Sequence, residues 1–169
     1  YPNCSVVDMS LFSNSMSFNG SNYYLSIGSY TWEEANALAI EQGGHLVTIS
    51  SEAENTFVSL SMGQNSPWIG LYQNENSSSY TEPNGGWEWV DGTLLLWNAG
   101  SNTYTGFENW QNNQPDGVNQ DFATFNYTAT GLWDDDNASR PFAMAVNKSY
   151  VDKLYVICNG GNDGQTYVT

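Results

Sequence analysis

The side chains with most chemistry in this chain lie between Phe107 and Asp136. They form two clusters of acids and amides, Gln114-Pro115-Asp116 and Asp134-Asp135-Asp136, separated by alternating residues that read as a strand. Every candidate ligand in them is a hard oxygen, with no imidazole or thiolate alongside. Ca²⁺ takes about 6–8 such oxygens at about 2.3–2.6 Å, whereas zinc and copper favour nitrogen and sulfur. Pro115 fixes φ between two of the candidate ligands and carries no amide hydrogen, which holds the flanking side chains toward a common point. Two solvated acidic loops would look the same in a chain this acidic, so the carboxylates by themselves leave both readings open.

Composition narrows the choice. The 169 residues suit one domain with a substantial core, and 40% hydrophobic content with seven Trp excludes disorder. Only 3 Lys and Arg stand against 18 Asp and Glu, a formal charge of -15. Such a chain has no electrostatic reason to bind nucleic-acid phosphates or an anionic membrane, and every reason to attract cations. No run approaches the ~20 apolar residues of a membrane helix. Abundant Asn, Ser, Thr and Gly give the surface an extracellular character, secreted or at the cell surface. In that setting the two cysteines, Cys4 and Cys158, are expected to pair.

The scaffold for these clusters is legible along the chain. Residues 1–20 read as polar and irregular, and Asn22–Ile27 as the first strand. Thr31 and Glu34 form a capping box for a helix whose inner face is Trp32, Ala35, Leu38 and Ala39, stopped by Gly43-Gly44. Ser51 and Glu54 form a second capping box, opening a helix with Phe57, Val58 and Leu60 inward. Trp68–Leu71 and Trp87–Val90 read as strands, as do Phe122–Tyr127 and Lys153–Cys158. Thr93 to Asp121 lacks periodicity, and a loop of that length in a compact domain is usually functional.

Trp32-Glu-Glu-Ala35, Gly43-Gly-His-Leu46, Trp68-Ile-Gly-Leu71 and Trp87-Glu-Trp-Val-Asp-Gly92 are succeeded by Asn109-Trp110, Gln114-Pro-Asp116, Trp133-Asp-Asp135 and Tyr155-Val-Ile-Cys158. In this order and spacing the chain resembles a C-type lectin-like domain of the Gln-Pro-Asp type. The resemblance implies an α+β fold with two helices, small antiparallel sheets and a long calcium-site loop region. It divides the chain into an N-terminal extension (1–22), the domain (23–158) and a Gly/Asn-rich tail or linker (159–169). It implies one Ca²⁺ held by Gln114, Asp116, Gln120, Asp134 and Asp135. Gln120 stands where the family usually has an acid, and Asp134 where it usually has Asn. The two changes offset in charge, so three carboxylates remain. A second family calcium site lacks most of its acids here. Glu82-Pro83-Asn84, on the other side of the Trp87 strand, reads as a turn. The family's first cysteine falls at Ala39, which leaves Cys4 as the partner implied for Cys158.

By the same resemblance, vicinal hydroxyls of a sugar complete the calcium shell and bond to Gln114, Asp116, Gln120 and Asp134. Gln-Pro-Asp goes with galactose-type geometry, and a fucose-containing glycan is also compatible. The aromatic that usually comes after the tripeptide is replaced by Gly117-Val118, so Tyr104 or Phe107 is expected to stack on the sugar. The implied partners are cell-surface glycans. Alternatives are a calcium-dependent ice-binding protein and a protein-binding or structural module. An enzyme is not expected: His45 is the sole histidine and no catalytic triad can be assembled. The missing disulfides, and an Asn137 sequon close to the site, point to a monomeric module of a larger bacterial adhesin.

Overall fold

The computed structural model describes residues 7–126 and 131–147. In chain order its elements are β1 (Phe12–Phe18), β2 (Ser21–Ser26), α1 (Trp32–Glu41), β3 (His45–Leu46), α2 (Glu52–Met62), β4 (Trp68–Gln73), β5 (Trp87–Trp89), β6 (Leu94–Leu95), β7 (Trp97–Asn98), β8 (Thr103–Tyr104), β9 (Phe122–Phe125), β10 (Trp133–Asp136) and β11 (Ala143–Asn147). They form a four-stranded sheet β1-β2-β11-β3, a five-stranded sheet β10-β9-β4-β5-β6 and a separate β7–β8 hairpin. This is the expected C-type lectin fold.

Both helices start as their sequence dictates. Thr31 accepts from the Glu34 amide, and Glu34 accepts in return from the Thr31 amide. Trp32, Ala35 and Ala39 are buried, and the chain turns out of α1 at Gly43 with φ 78°. At α2 the reciprocal half of the capping box is displaced. Ser51 caps Glu54, but the Glu54 carboxylate bonds the Ser50 amide and takes the Tyr23 hydroxyl instead. The inward face of α2 also differs from expectation. Val58 is buried and Phe57 partly so, but Leu60 is 75% exposed, and Asn55, Ser59 and Met62 face the core.

Two aromatic clusters lie on either side of β11, and the strand's period of two sorts its residues between them. Ala143 and Ala145 join Trp87, Trp89, Trp110 and Trp133; Met144, Val146 and the preceding Phe142 join Trp32, Trp68 and Phe12. The small alanines leave room for the larger cluster. In the second cluster the Trp32 ring stacks on Phe122 at 4.9 Å, and its N–H donates to the Ile69 carbonyl at 2.8 Å.

Two strands depart from the sequence-based expectation. Phe12–Phe18, expected to be irregular, is an edge strand paired with β2. Its backbone supplies the ladder while Met16 and Phe18 pack on the core, and the Ser-rich remainder suits an edge. The strand that joins β2 to β3 is Ala143–Asn147, which sequence patterning does not assign; the strand expected from sequence is Lys153–Cys158. The latter segment, Cys4 and the expected Cys4–Cys158 bridge lie outside the described residues. The unpatterned stretch from Thr93 contains β6, β7 and β8.

Candidate functional site

The site begins with β9 and β10. Their antiparallel pairing sets Asp134 opposite Thr124 and Asp135 opposite Ala123. Alternation places Asp135 on the buried face with Trp133, and Asp134 and Asp136 on the other, half-buried face. Trp133 is anchored by its indole N–H, which donates to Asn55 Oδ1 at 2.8 Å, and by Trp89, Phe107 and Trp110 around its ring.

Residues 109–111 run alongside this anchor. The Trp133 amide donates to the Asn109 carbonyl and the Gln111 amide to the Trp133 carbonyl, both at 2.8 Å. A turn then brings the Gln114 amide back to the Gln111 carbonyl, with Asn113 in the left-handed region at φ 70°. The Gln114–Pro115 peptide is cis. From here the loop closes on the strand: the Asp116 amide donates to Asp135 Oδ1 at 3.1 Å and the Gly117 amide to Oδ2 at 2.8 Å.

Gln120 joins the same group. A Cβ at Gly117 would lie 1.8 Å from Gln120 Oε1, so the amide oxygen of Gln120 rests on the backbone that donates to Asp135. Glycine at 117 is what makes that approach possible. The structure therefore gathers Asp116, Gly117, Gln120 and Asp135, with Gln114 two residues away on the loop and Asp134 next to Asp135 on the other face of β10.

Electrostatics separates the three adjacent acids. Burial, only partly offset by the Gly117 and Asp116 amides, pushes Asp135 up to about 6. Burial also raises Asp134, with the charges of Asp116 and Asp136 adding. Asp136 goes the other way. Burial alone would raise it, but the Arg140 guanidinium and the amides of Asn137 and Ala138 hold it below the ordinary carboxylate range. Asp136 is thereby occupied by an ion pair, whereas Asp134 and Asp135 keep charges that are hard to sustain alone.

The donor set tests whether calcium fits. Among the described residues no three His, Cys, Asp or Glu side chains are gathered closely enough to hold a metal. Amide oxygens are therefore required, and one stands ready: Gln114 Oε1 is buried without a hydrogen-bond partner. An unpartnered buried acceptor costs about 1–3 kcal/mol, which a cation would offset. An all-oxygen set of amides and carboxylates is the chemistry calcium favours.

The expected aromatics separate. Tyr104 lines a cavity of about 610 Å³ together with Gln114 and Asp116. Burial and the charges of Glu108 and Asp135 raise its hydroxyl well above the ordinary tyrosine range. Phe107 is not in that cavity. It packs on Trp133 and lines a smaller crevice with Trp89 and Leu95, so it is a core residue. Residues that sequence reasoning missed complete the cavity, among them Asn84, Trp97, Asn102 and Glu108. Asn84 comes from the Glu82-Pro83-Asn84 turn, which is pinned where Trp87 Nε1 donates to the Pro83 carbonyl at 2.9 Å.

Comparison with known proteins agrees with this fold. Residues 28–145 match the family described as Lectin C-type domain. Asialoglycoprotein receptor 1 of Mus musculus is 35% identical over 147 residues, covering 83% of this chain and 45% of that protein. C-type lectin domain family 10 member A of Homo sapiens is 34% identical over 127 residues, covering 71% and 34%. The chain thus spans less than half the length of these two relatives. It matches Lectin BRA-3 of Megabalanus rosa at 30% identity over 144 residues, covering 83% of this chain and 75% of that lectin. Among solved structures, the carbohydrate-recognition domain of a mouse scavenger receptor C-type lectin superposes with TM-score 0.64 at 26% identity, over 79% of this chain and 94% of that one. These relatives come from animals, and the expectation of a bacterial adhesin finds no support among them. The chain belongs to the C-type lectin domain family.

Proposed function

We propose that the chain is a calcium-dependent carbohydrate-binding module that takes two vicinal hydroxyls of a terminal sugar on cell-surface glycans. The ion would be held by Gln114, Asp116, Gln120, Asp134 and Asp135. The observation that carries this reading is the closure of the Gln114–Gly117 loop onto the buried Asp135 carboxylate, through two backbone amides. That closure joins the two acid-and-amide clusters, which are far apart in sequence. Bound calcium supplies open coordination positions for a diol and strengthens hydrogen bonds to it.

The chain's own residues do the rest. Asp116, Asp134 and Asp135 supply negative charge, while Arg140 engages the neighbouring Asp136. The Gln114 and Gln120 amides offer both donors and acceptors, which suits hydroxyl groups that need both. The Gln-Pro-Asp tripeptide favours a galactose-type terminal sugar, with a fucose-containing glycan also accommodated. Tyr104 is a nearby ring available to an apolar sugar face, since Gly117-Val118 supply none. Binding, without bond cleavage, is the activity, and an extracellular location fits it. Among the described residues no helix is long and apolar enough to cross a membrane.

The test is glycan-array binding in calcium and in EGTA, for the wild type and for Asp116→Ala. Wild-type binding should disappear in EGTA, and the variant should lose it in calcium while keeping its circular dichroism. Glycan binding that survives both treatments would remove this site. Ice-binding activity without glycan binding, read as thermal hysteresis, would replace the reading altogether.

A further inference from the structure

The geometry points to a second sugar subsite, in which the β7–β8 hairpin reads the unit linked to the terminal sugar; this rests on the calcium-site reading proposed above. The cavity that begins at Gln114 and Asp116 extends beyond them to Trp97, Asn102 and Glu108. Its volume of about 610 Å³ falls within the range of about 300–1,000 Å³ typical of small-molecule pockets.

The hairpin touches the core through Tyr104. β7 and β8 are two residues each and belong to neither sheet. A short isolated hairpin is marginal by itself. This one is held by the Trp97–Tyr104 ring pair, with centroids 4.9 Å apart and planes at 52°, and by the Thr105 amide on the Leu96 carbonyl at 2.9 Å. The result is an aromatic pair in a largely polar lining. An indole face suits the C–H face of a pyranose, while Asn102 of the hairpin's own turn and Asn84 and Asn112 from other segments line the same cavity and supply donors and acceptors for its hydroxyls.

Three polar atoms of the cavity's lining residues lack partners: the Tyr104 hydroxyl, the Trp110 indole nitrogen and Gln114 Oε1. Charge decides which second unit fits. The lining holds Glu108 and Asp116 but no Lys, Arg or His, so an uncharged sugar enters and a carboxylate-bearing one is repelled.

Titration calorimetry in calcium with galactose, lactose and a galactosyl-glucuronic acid disaccharide tests this. These probes share the terminal galactose and differ only in the unit attached to it. Lactose should bind about tenfold tighter than galactose, a ratio of the size one well-placed contact supplies, and the glucuronic acid disaccharide should lose that advantage. Trp97→Ala should bring the lactose-to-galactose ratio toward one, and Trp97→Phe should restore most of it. The Trp97 indole N–H resonance should shift with lactose more than with galactose. An unchanged ratio in Trp97→Ala, or an indole signal that ignores lactose, overturns the subsite. A wild type that binds neither sugar overturns the galactose-type reading of the calcium site, and the subsite with it.

Discussion

Two indoles 5.8 Å apart show how differently the chain treats its sheet and its loops. Trp133, on β10, donates its N–H to Asn55, whose amide in turn donates to the Gly131 carbonyl at 3.0 Å. Asn109 reaches that same carbonyl at 2.6 Å, so this buried network leaves no partner wanting. Trp110, on the loop side, has an indole nitrogen with no partner, beside Tyr104 and Gln114 in the same condition. Buried polar groups in a finished core are paired. The difference marks a loop-side donor that the fold itself leaves unpaired.

Paired substitutions give the widest separation between the two regions. Trp133→Phe removes a buried hydrogen bond and strands the Asn55 oxygen. Trp110→Phe deletes an N–H that bonds to nothing. In urea denaturation the first should cost about 2 kcal/mol more than the second. Equal losses would mean that the unpartnered indole is paired in solution, and the contrast would close.

A pH series sharpens the same contrast. The Asp135 carboxyl is pushed up to about 6 by its burial, so the folded state holds that proton more tightly than the unfolded chain, whose carboxyl sits near 3.9. In calcium-free buffer this group's contribution to stability is therefore greatest below about pH 4. It declines as pH rises through about 6, where the buried charge must be carried without a cation. The slope over that window should flatten in Asp135→Asn, measured by thermal melts, and a slope identical to wild type would contradict it.

The smallest effect is expected far from both regions. Leu60 is 75% exposed on α2, so Leu60→Ser should stay within about 0.5 kcal/mol of wild type. A larger loss would indicate that this face of α2 is covered in solution.

What the sequence makes legible here is what lies contiguous in it. The Thr31–Glu34 capping box, the Trp strands and the Gln114-Pro-Asp116 and Trp133-Asp-Asp135 motifs each carry their message within a few residues. Leu60 is misplaced by such a reading because a helix face judged from apolar residues alone overlooks Asn55 and Ser59, whose polar atoms are buried. β11 is hard to see because Ala143 and Ala145 are small, and their fit depends on the Trp cluster they meet. The cavity is invisible in sequence for a stronger reason. Asn84, Trp97 and Glu108 come from separate segments, and only the assembled fold brings them to Gln114.

The pairing of β9 with β10 works as a ruler graduated in steps of two. Trp133 sits opposite Phe125 and Asp135 opposite Ala123, and in this alignment the face that indole and carboxylate share is the buried one. A slip of one residue would turn Asp135 to solvent and push Asp134 and Asp136 beneath the aromatic stack. The hydrophobic ladder thus guards the chemistry: whatever holds the tryptophan inward also decides which acid the loop can meet.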